Sequence, residues 1–117
     1  MSILKIQTSS ERLLRDFFSG FVKIHVLYHT GNRPFYGQEL KDELEEHGYA
    51  ISYGTLYPLL HKLCAGGYLA REDKVVDGKV RKYYSLAGTG REVLEEARRK
   101  LRELALEVLE KDVHKEE

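Results

Sequence analysis

Residues 68–86 read YLAREDKVVDGKVRKYYSL, and this stretch decides the fold of the chain. Two runs rich in β-branched and aromatic residues flank Asp77-Gly78, a pair that suits the two-residue type I′ turn of a β-hairpin. We therefore predict strands at about 68–76 and 79–86. A two-residue turn also sets the cross-strand pairs: Val76 with Lys79, Val75 with Val80, and Leu69 with Leu86.

The two faces of this hairpin differ in their chemistry. One face carries the opposed pair Asp73–Lys82 and otherwise mainly apolar residues, and is predicted to join the core: Leu69, Val75, Val80, Tyr84 and Leu86. The other face places Lys74 opposite Arg81, with Lys79 beside them. Like charges directly opposite each other destabilise a sheet by roughly 0.2–1 kcal/mol, which an anion against this face would relieve. A longer loop with a slipped register would remove the repulsion as well.

Helices are predicted on both sides of the hairpin. The first begins at Ser9 or Ser10, carries a broad apolar face and is stopped by the Thr-Gly-Asn-Arg-Pro segment at 30–34. The second covers about 36–46, and the third, capped by Ser52, covers about 53–65. After the hairpin, Thr89-x-x-Glu92 reads as a capping box that opens a helix running to about Val113.

Apolar residues recur along this last helix at spacings of three and four: Leu94, Ala97, Leu101, Leu104 and Val108. Such a seam pairs with another helix, and a second apolar stripe widens it towards the end: Leu106, Leu109 and Val113. Because one small domain cannot cover two stripes, we expect a partner chain. The alternative is a helix folded back on its own domain.

Three helices, a hairpin and a further helix follow the order of a winged helix-turn-helix. The predicted fold is mainly α with a two-stranded β-hairpin wing, divided into a DNA-binding domain at 1–88 and a C-terminal dimerisation helix at 89–117. In such folds the third helix enters the major groove and the hairpin reaches the neighbouring backbone. The candidate DNA-binding residues lie on the second helix, the third helix and the hairpin: Tyr36, Gln38, Ser52, Tyr53, Gly54, Thr55, Tyr57, Lys62, Lys74, Lys79, Arg81 and Lys82.

The charges are segregated along the chain. The 117 residues hold 19 Lys+Arg and 19 Asp+Glu, so the formal net charge is zero. Residues 71–84 nevertheless carry five basic against three acidic side chains, whereas residues 91–117 carry seven against nine. Screening limits each field to roughly 8 Å at physiological salt, so the basic hairpin can meet DNA although the whole chain is neutral. The zero balance and the acidic second helix also fit a protein-interaction adaptor built on a winged helix without DNA binding.

At these residues the chain resembles the PadR family of bacterial transcriptional regulators. The resemblance spans about residues 12–110, and four segments carry it: Tyr36-Gly37, Ser52-Tyr53-Gly54-Thr55-Leu56-Tyr57-Pro58-Leu59-Leu60, Gly67-Tyr68-Leu69, and Gly78-Lys79-Val80-Arg81-Lys82-Tyr83-Tyr84-Ser85-Leu86. It implies the small subgroup with a single C-terminal helix, and a homodimer whose last helices pair with the partner's first helices. It also implies a repressor of an inverted-repeat operator that a small hydrophobic or aromatic inducer releases.

Two departures from the family pattern bear on these expectations. Ala87 follows Leu86 where family members often have a threonine cap, so Thr89 is expected to start the helix about two residues later. The chain has no tryptophan, so the stacking drug site of some small members is not carried over. Phe17, Phe18, Phe21 and Tyr28 could instead line an apolar effector pocket near the dimer interface, although such residues are more often simply part of the core.

Other kinds of site receive less support from the sequence. His25 and His29, four residues apart, or His61 and Cys64, three apart, could ligate a metal in a metal-sensing regulator, but a site needs three or four ligands, so no metal or cofactor is predicted. The chain has no phosphate loop or nucleophile elbow, and no enzyme activity is expected. The single cysteine, Cys64, is expected to be buried rather than a redox switch. With no secretory pattern at the start and no long apolar run, we expect a cytoplasmic protein.

Overall fold

The computed structural model describes residues 9–110. Its elements, in chain order, are α1 (Ser9–Asn32), β1 (Phe35–Tyr36), α2 (Gly37–Glu46), α3 (Tyr53–Ala65), β2 (Leu69–Val76), β3 (Lys79–Leu86) and α4 (Gly88–Ala105), followed by a π-helical turn (Leu106–Glu110). The mainly helical fold with a hairpin wing is thereby confirmed. Val113, the predicted end of the last helix, lies outside the described residues.

The sheet has three strands rather than the predicted two. The two-residue β1 pairs antiparallel with the middle strand β3, Phe35 with Tyr84 and Tyr36 with Tyr83. The second helix therefore begins at Gly37, and Tyr36 donates its backbone N–H to the Glu39 carboxylate over 3.2 Å. A strand of two residues is too short to show the alternation of apolar and polar residues that identifies strands in a sequence. Its pairing with β3 depends on tertiary packing.

The hairpin has the predicted register from Leu69–Leu86 to Val76–Lys79. Asp77 and Gly78 have φ angles of 51° and 77°, and a type I′ turn requires positive φ at both positions. The prediction that one whole face joins the core was wrong, since Val75 and Val80 are 73% and 65% exposed. The strands extend past the helical layer, so only their base, at Leu69 and Tyr84, is buried.

A single core unites the helices with the base of the sheet. Its buried side chains come from every helix and every strand: Val26, Leu27, Phe35, Leu40, Leu44, Leu56, Leu60, Leu69, Tyr84 and Leu94. The first helix ends at Asn32, within the segment 30–34 that was predicted to stop it. Gly31 serves packing rather than a cap, because a Cβ there would lie 2.9 Å from a methyl carbon of Leu86.

The start of α4 is also set by packing. Ala87 occupies the N-cap position without a side-chain hydrogen bond and α4 begins at Gly88, so the proposed Thr89 capping box and the later start were wrong. The Ala87 N–H instead donates to the Tyr68 carbonyl over 3.0 Å. Gly90 is buried against the same carbonyl, which a Cβ would overlap.

Within residues 9–110, no helix is long and apolar enough to cross a membrane.

Candidate nucleic-acid interface

A cleft of about 410 Å³ lies where the starts of α2 and α3 meet β3. It is lined by residues of these three elements: Tyr36, Gly37, Gln38, Tyr53, Tyr57, Val80, Arg81 and Lys82. Since β1 pairs only with Tyr83 and Tyr84, it leaves the edge of β3 at residues 80–82 bordering this cleft. The fold therefore brings the exposed start of the third helix beside the basic hairpin.

Two tyrosines on α3 form one wall of the cleft. Tyr53 and Tyr57 lie one helical turn apart, and their stacked rings have centroids 5.6 Å apart. Tyr57 packs so closely on the start of α2 that a Cβ on Gly37 would overlap its hydroxyl and ring. The sequence motif Tyr36-Gly37 does not reveal this role of Gly37, because the packing of Tyr57 on it is a contact between two helices.

Cations lie over the aromatic rings around the cleft. The Arg81 guanidinium is 4.4 Å from the centre of the Tyr36 ring, and the Lys74 ammonium is 5.1 Å from that of Tyr83. Lys41, which the sequence reading missed, lies 5.4 Å from the centre of the Tyr53 ring. The contacts of Arg81 and Lys74 hold these basic groups at the surface while leaving their N–H donors able to bind an anion. The Lys41 ammonium is instead paired with Glu45.

The start of α3 carries no acidic residue in its first turn. Ser52 occupies the N-cap position, where its hydroxyl donates to the Thr55 hydroxyl over 3.3 Å. The first N–H groups of a helix lack intrahelical partners and carry a partial positive charge. This end of α3 therefore favours a phosphate group.

The acidic side chains of α2 do not line the cleft. Glu39 forms an ion pair of 3.3 Å with Arg33, and Glu45 forms one of 2.6 Å with Lys41. Glu43 lies 3.8 Å from His29 on α1. Only the first part of α2, with Gln38 and the preceding Tyr36, faces the cleft. The acidity of this helix is thus no obstacle to an anion bound there.

Half of the candidate DNA-binding residues come together in the cleft: Tyr36, Gln38, Tyr53, Tyr57, Arg81 and Lys82. Ser52 and Gly54 are exposed beside it at the start of α3, while Lys74 and Lys79 lie on the exposed hairpin. Thr55 and Lys62 line a different groove of α3. The sequence reading missed Val80 as a lining residue because it was assigned to the core.

The apolar groove that includes Thr55 and Lys62 has a volume of about 910 Å³ and lies between α1, α3 and the turn joining α2 to α3. Phe18 and Phe21, two of the four candidate effector residues, line it. Phe17 packs against both phenylalanine rings, at centroid distances of 5.4 and 4.6 Å, without lining the groove. Tyr28 lies elsewhere, with the edge of its ring against His29.

The residues of the predicted dimerisation seam on α4 are partly buried in the core and partly exposed. Leu94 is buried in the core of its own chain and Ala97 is half-buried, whereas the later members are exposed: Leu101, Leu104 and Val108. The first half of α1 also exposes Leu13, Leu14, Phe17 and Phe18. Both helices therefore carry apolar faces beyond the core that they share.

His61 and Cys64 border a smaller cavity beside Arg71 and Tyr84. Burial raises the pKa of the Cys64 thiol, with Arg71 opposing this shift. A raised pKa leaves little thiolate at neutral pH, and the thiolate is the reactive and metal-binding form. The environment of this cysteine is that of a packing residue.

Comparison with known proteins agrees with this arrangement. Residues 26–96 match the PadR-like family of transcriptional regulators. The chain is 47% identical over 96 residues to the transcriptional regulator Rv3488 of Mycobacterium tuberculosis, covering 82% of this chain and 90% of that protein. It is 33% identical to a PadR-family regulator of Eggerthella lenta of known structure, with a TM-score of 0.71 over 80% of this chain and 83% of that one. For a PadR-like regulator of Bacillus cereus the identity is 29% and the TM-score 0.73, over 80% and 92% of the two chains.

The family match covers more than half of the chain, and the relatives named here are regulators rather than enzymes. The chain therefore belongs to the PadR-like family of transcriptional regulators, which bind DNA.

Proposed function

We propose that this regulator is a homodimer that binds an inverted-repeat operator and represses transcription. The observation that carries the proposal is the cleft in which the acid-free start of α3 meets Arg81 and Lys82 of the hairpin. In this arrangement α3 enters the major groove, where its first residues meet base edges. The hairpin contacts the phosphate backbone beside it.

The exposed apolar faces of α1 and α4 support the homodimer. Single exposed apolar residues are ordinary on a protein surface, but a row along a helix indicates an interaction surface. Leu101, Leu104 and Val108 form such a row at spacings of three and four. The family resemblance pairs this row with the first helix of the partner, whose first half is equally apolar and exposed.

The apolar groove supports release by a small hydrophobic or aromatic effector. Its volume of about 910 Å³ falls within the usual range for ligand pockets, and Phe18 and Phe21 offer rings for stacking. The groove touches both α1, which carries an apolar face, and α3, which borders the cleft. An occupant would therefore change how the α3 helices of a dimer are placed relative to one another.

The proposal is tested by selecting bound fragments from the source genome and measuring affinity for the best operator as a function of salt. If each protomer neutralises about three phosphates, log K falls against log salt with a slope of about −5 for the dimer. Replacing both Arg81 and Lys82 by alanine should weaken binding to all sequences similarly and make the slope shallower. Changes at Tyr53 or Thr55 should instead alter which sequences are preferred.

Lys100→Ala is the control, because Lys100 is exposed on α4 and its substitution removes a positive charge outside the cleft. It should leave both the affinity and the slope nearly unchanged. A flat salt response would contradict the role of the hairpin. Failure to recover any specific fragment would favour the adaptor without DNA binding.

A further inference from the structure

Three histidines from two helices meet on the side of the domain where α2 ends. His25 and His29 lie one turn apart on α1, and His47 is the C-cap residue of α2. The ring of His47 stacks on that of His25 at 4.4 Å and on that of His29 at 5.5 Å between centroids. Within residues 9–110, these three form the one cluster of at least three metal-ligating side chains that could hold an ion.

The nitrogen atoms are close enough to share one ion. One nitrogen of each imidazole lies within 4.8 Å of the other two. Zinc binds histidine nitrogen at about 2.0–2.1 Å, so tetrahedral ligands are about 3.3 Å apart. Small side-chain rotations of His25 and the exposed His47 would close this difference without moving either helix.

His29 has a buried ring nitrogen that lacks a hydrogen-bond partner. Its Nε2 atom is buried and has no hydrogen-bond partner. A buried polar nitrogen in that condition is unfavourable, and a bound ion would satisfy it. The Glu43 carboxylate lies 3.8 Å from this nitrogen, which is beyond hydrogen-bond distance, and it is not within 4.8 Å of all three imidazole nitrogens. Its side chain would therefore have to rotate towards the cluster to become a fourth ligand.

The surroundings also favour the ligating form of the imidazoles. Burial lowers the pKa of both His25 and His29, and the neighbouring His47 lowers each further, while Glu43 opposes the shift at His29. The neutral rings keep the lone pair that binds a metal. The carbonyl end of α2, which finishes at Glu46 beside His47, adds a partial negative charge that favours a cation.

We propose that His25, His29 and His47 form a binding site for one divalent transition-metal ion of the zinc class, with Glu43 as the fourth ligand. Imidazole nitrogen with one carboxylate suits zinc, and also copper, iron and nickel, rather than calcium or magnesium. The bound ion ties α1 to the end of α2. It thereby fixes the turn from His47 to Ser52, in which Gly48 has a φ of +90° and which leads directly into α3.

Zinc titration of the metal-free full chain, monitored with a competing chromophoric chelator, tests this site. We expect one ion per chain for the wild type. His29→Ala and His47→Ala should each lower the affinity at least about 100-fold, since even the loss of a hydrogen-bond partner of a ligand typically costs 10–100-fold. Glu43→Gln should cost less, because an amide oxygen is a weaker ligand. Cobalt should give the visible spectrum of a four-coordinate site without a thiolate charge-transfer band.

His61→Ala is the matched control, because this exposed histidine lies on α3 outside the cluster. It should bind zinc as the wild type does. The exposed His47 also allows a check on folding. Without metal, His47→Gln should melt at the wild-type temperature. Zinc should raise the melting temperature of the wild type and of His61→Ala, but not that of His47→Gln. Wild-type affinity in His29→Ala, or loss of binding in His61→Ala or Cys64→Ser, would overturn the proposal.

Discussion

Gly37 controls how closely α3 approaches α2 at the cleft. A methyl group there would overlap the Tyr57 ring, and its Cβ would lie only 2.7 Å from the ring carbon that bears the hydroxyl. We expect Gly37→Ala to displace Tyr57 and to lower the free energy of unfolding by about 1–3 kcal/mol, as overpacking of a close contact usually does. Urea denaturation measures this loss, and DNA binding should weaken with it.

Gly54→Ala is the control that separates the loss of close packing from the general effect of replacing a glycine by alanine. Gly54 lies in the first turn of α3, where an added Cβ would meet only the Ser52 hydroxyl at 3.7 Å. Alanine favours a helix over glycine by up to about 1 kcal/mol. The unfolding free energy should therefore stay unchanged or rise slightly. Equal destabilisation by the two substitutions would refute the account of Gly37.

The hairpin is the element whose local geometry follows most directly from the sequence. Asp77-Gly78 accepts the two positive φ angles of the turn, and a two-residue turn leaves one register for the strands. The burial of its faces does not follow from this pattern. Apolar alternation tells which residues share a face, but the extent of the helical layer decides how far along the strands that face is covered.

Two substitutions on the same face test this difference. Leu69→Ala removes a core side chain at the base of the hairpin and should lower the unfolding free energy by about 2–5 kcal/mol. Val75→Ala, three pairs further along the same face at a position 73% exposed, should cost under about 1 kcal/mol. Urea denaturation of both variants measures this, and a large loss from Val75→Ala would mean that the outer hairpin is covered in solution.

The described part of the chain, residues 9–110, is elongated, with extents of 60 × 41 × 25 Å. Its radius of gyration of 17.1 Å exceeds the value of about 13 Å expected for a compact domain of this length. The larger radius of gyration is explained by the first half of α1 and the second half of α4. Both project beyond the core of the chain and expose their apolar side chains. The neutral net charge gives little general attraction to DNA, so the proposed homodimer, which brings two clefts together, would strengthen specific binding.

Leu101→Glu combined with Leu104→Glu should convert the proposed homodimer into monomers. Both leucines are exposed on α4, so the monomer should still fold, while two buried carboxylates would be strongly unfavourable in a helix pair. Sedimentation velocity measures the change. Val75→Glu with Val80→Glu places the same charges on exposed apolar positions of the hairpin and should leave the dimer intact. A dimer that survives the α4 substitutions would contradict the proposed interface.

The sequence by itself determined the order of helices, the turn and register of the hairpin, and the acid-free start of α3. These features depend on residues near one another in the chain, through turn geometry and helical spacing. Only the tertiary structure decided the strand Phe35–Tyr36, the cap-free start of α4, the seating of Tyr57 on Gly37 and the addition of His47 to His25 and His29. Each of these is a contact between segments distant in the chain, and its position depends on packing that no local pattern encodes.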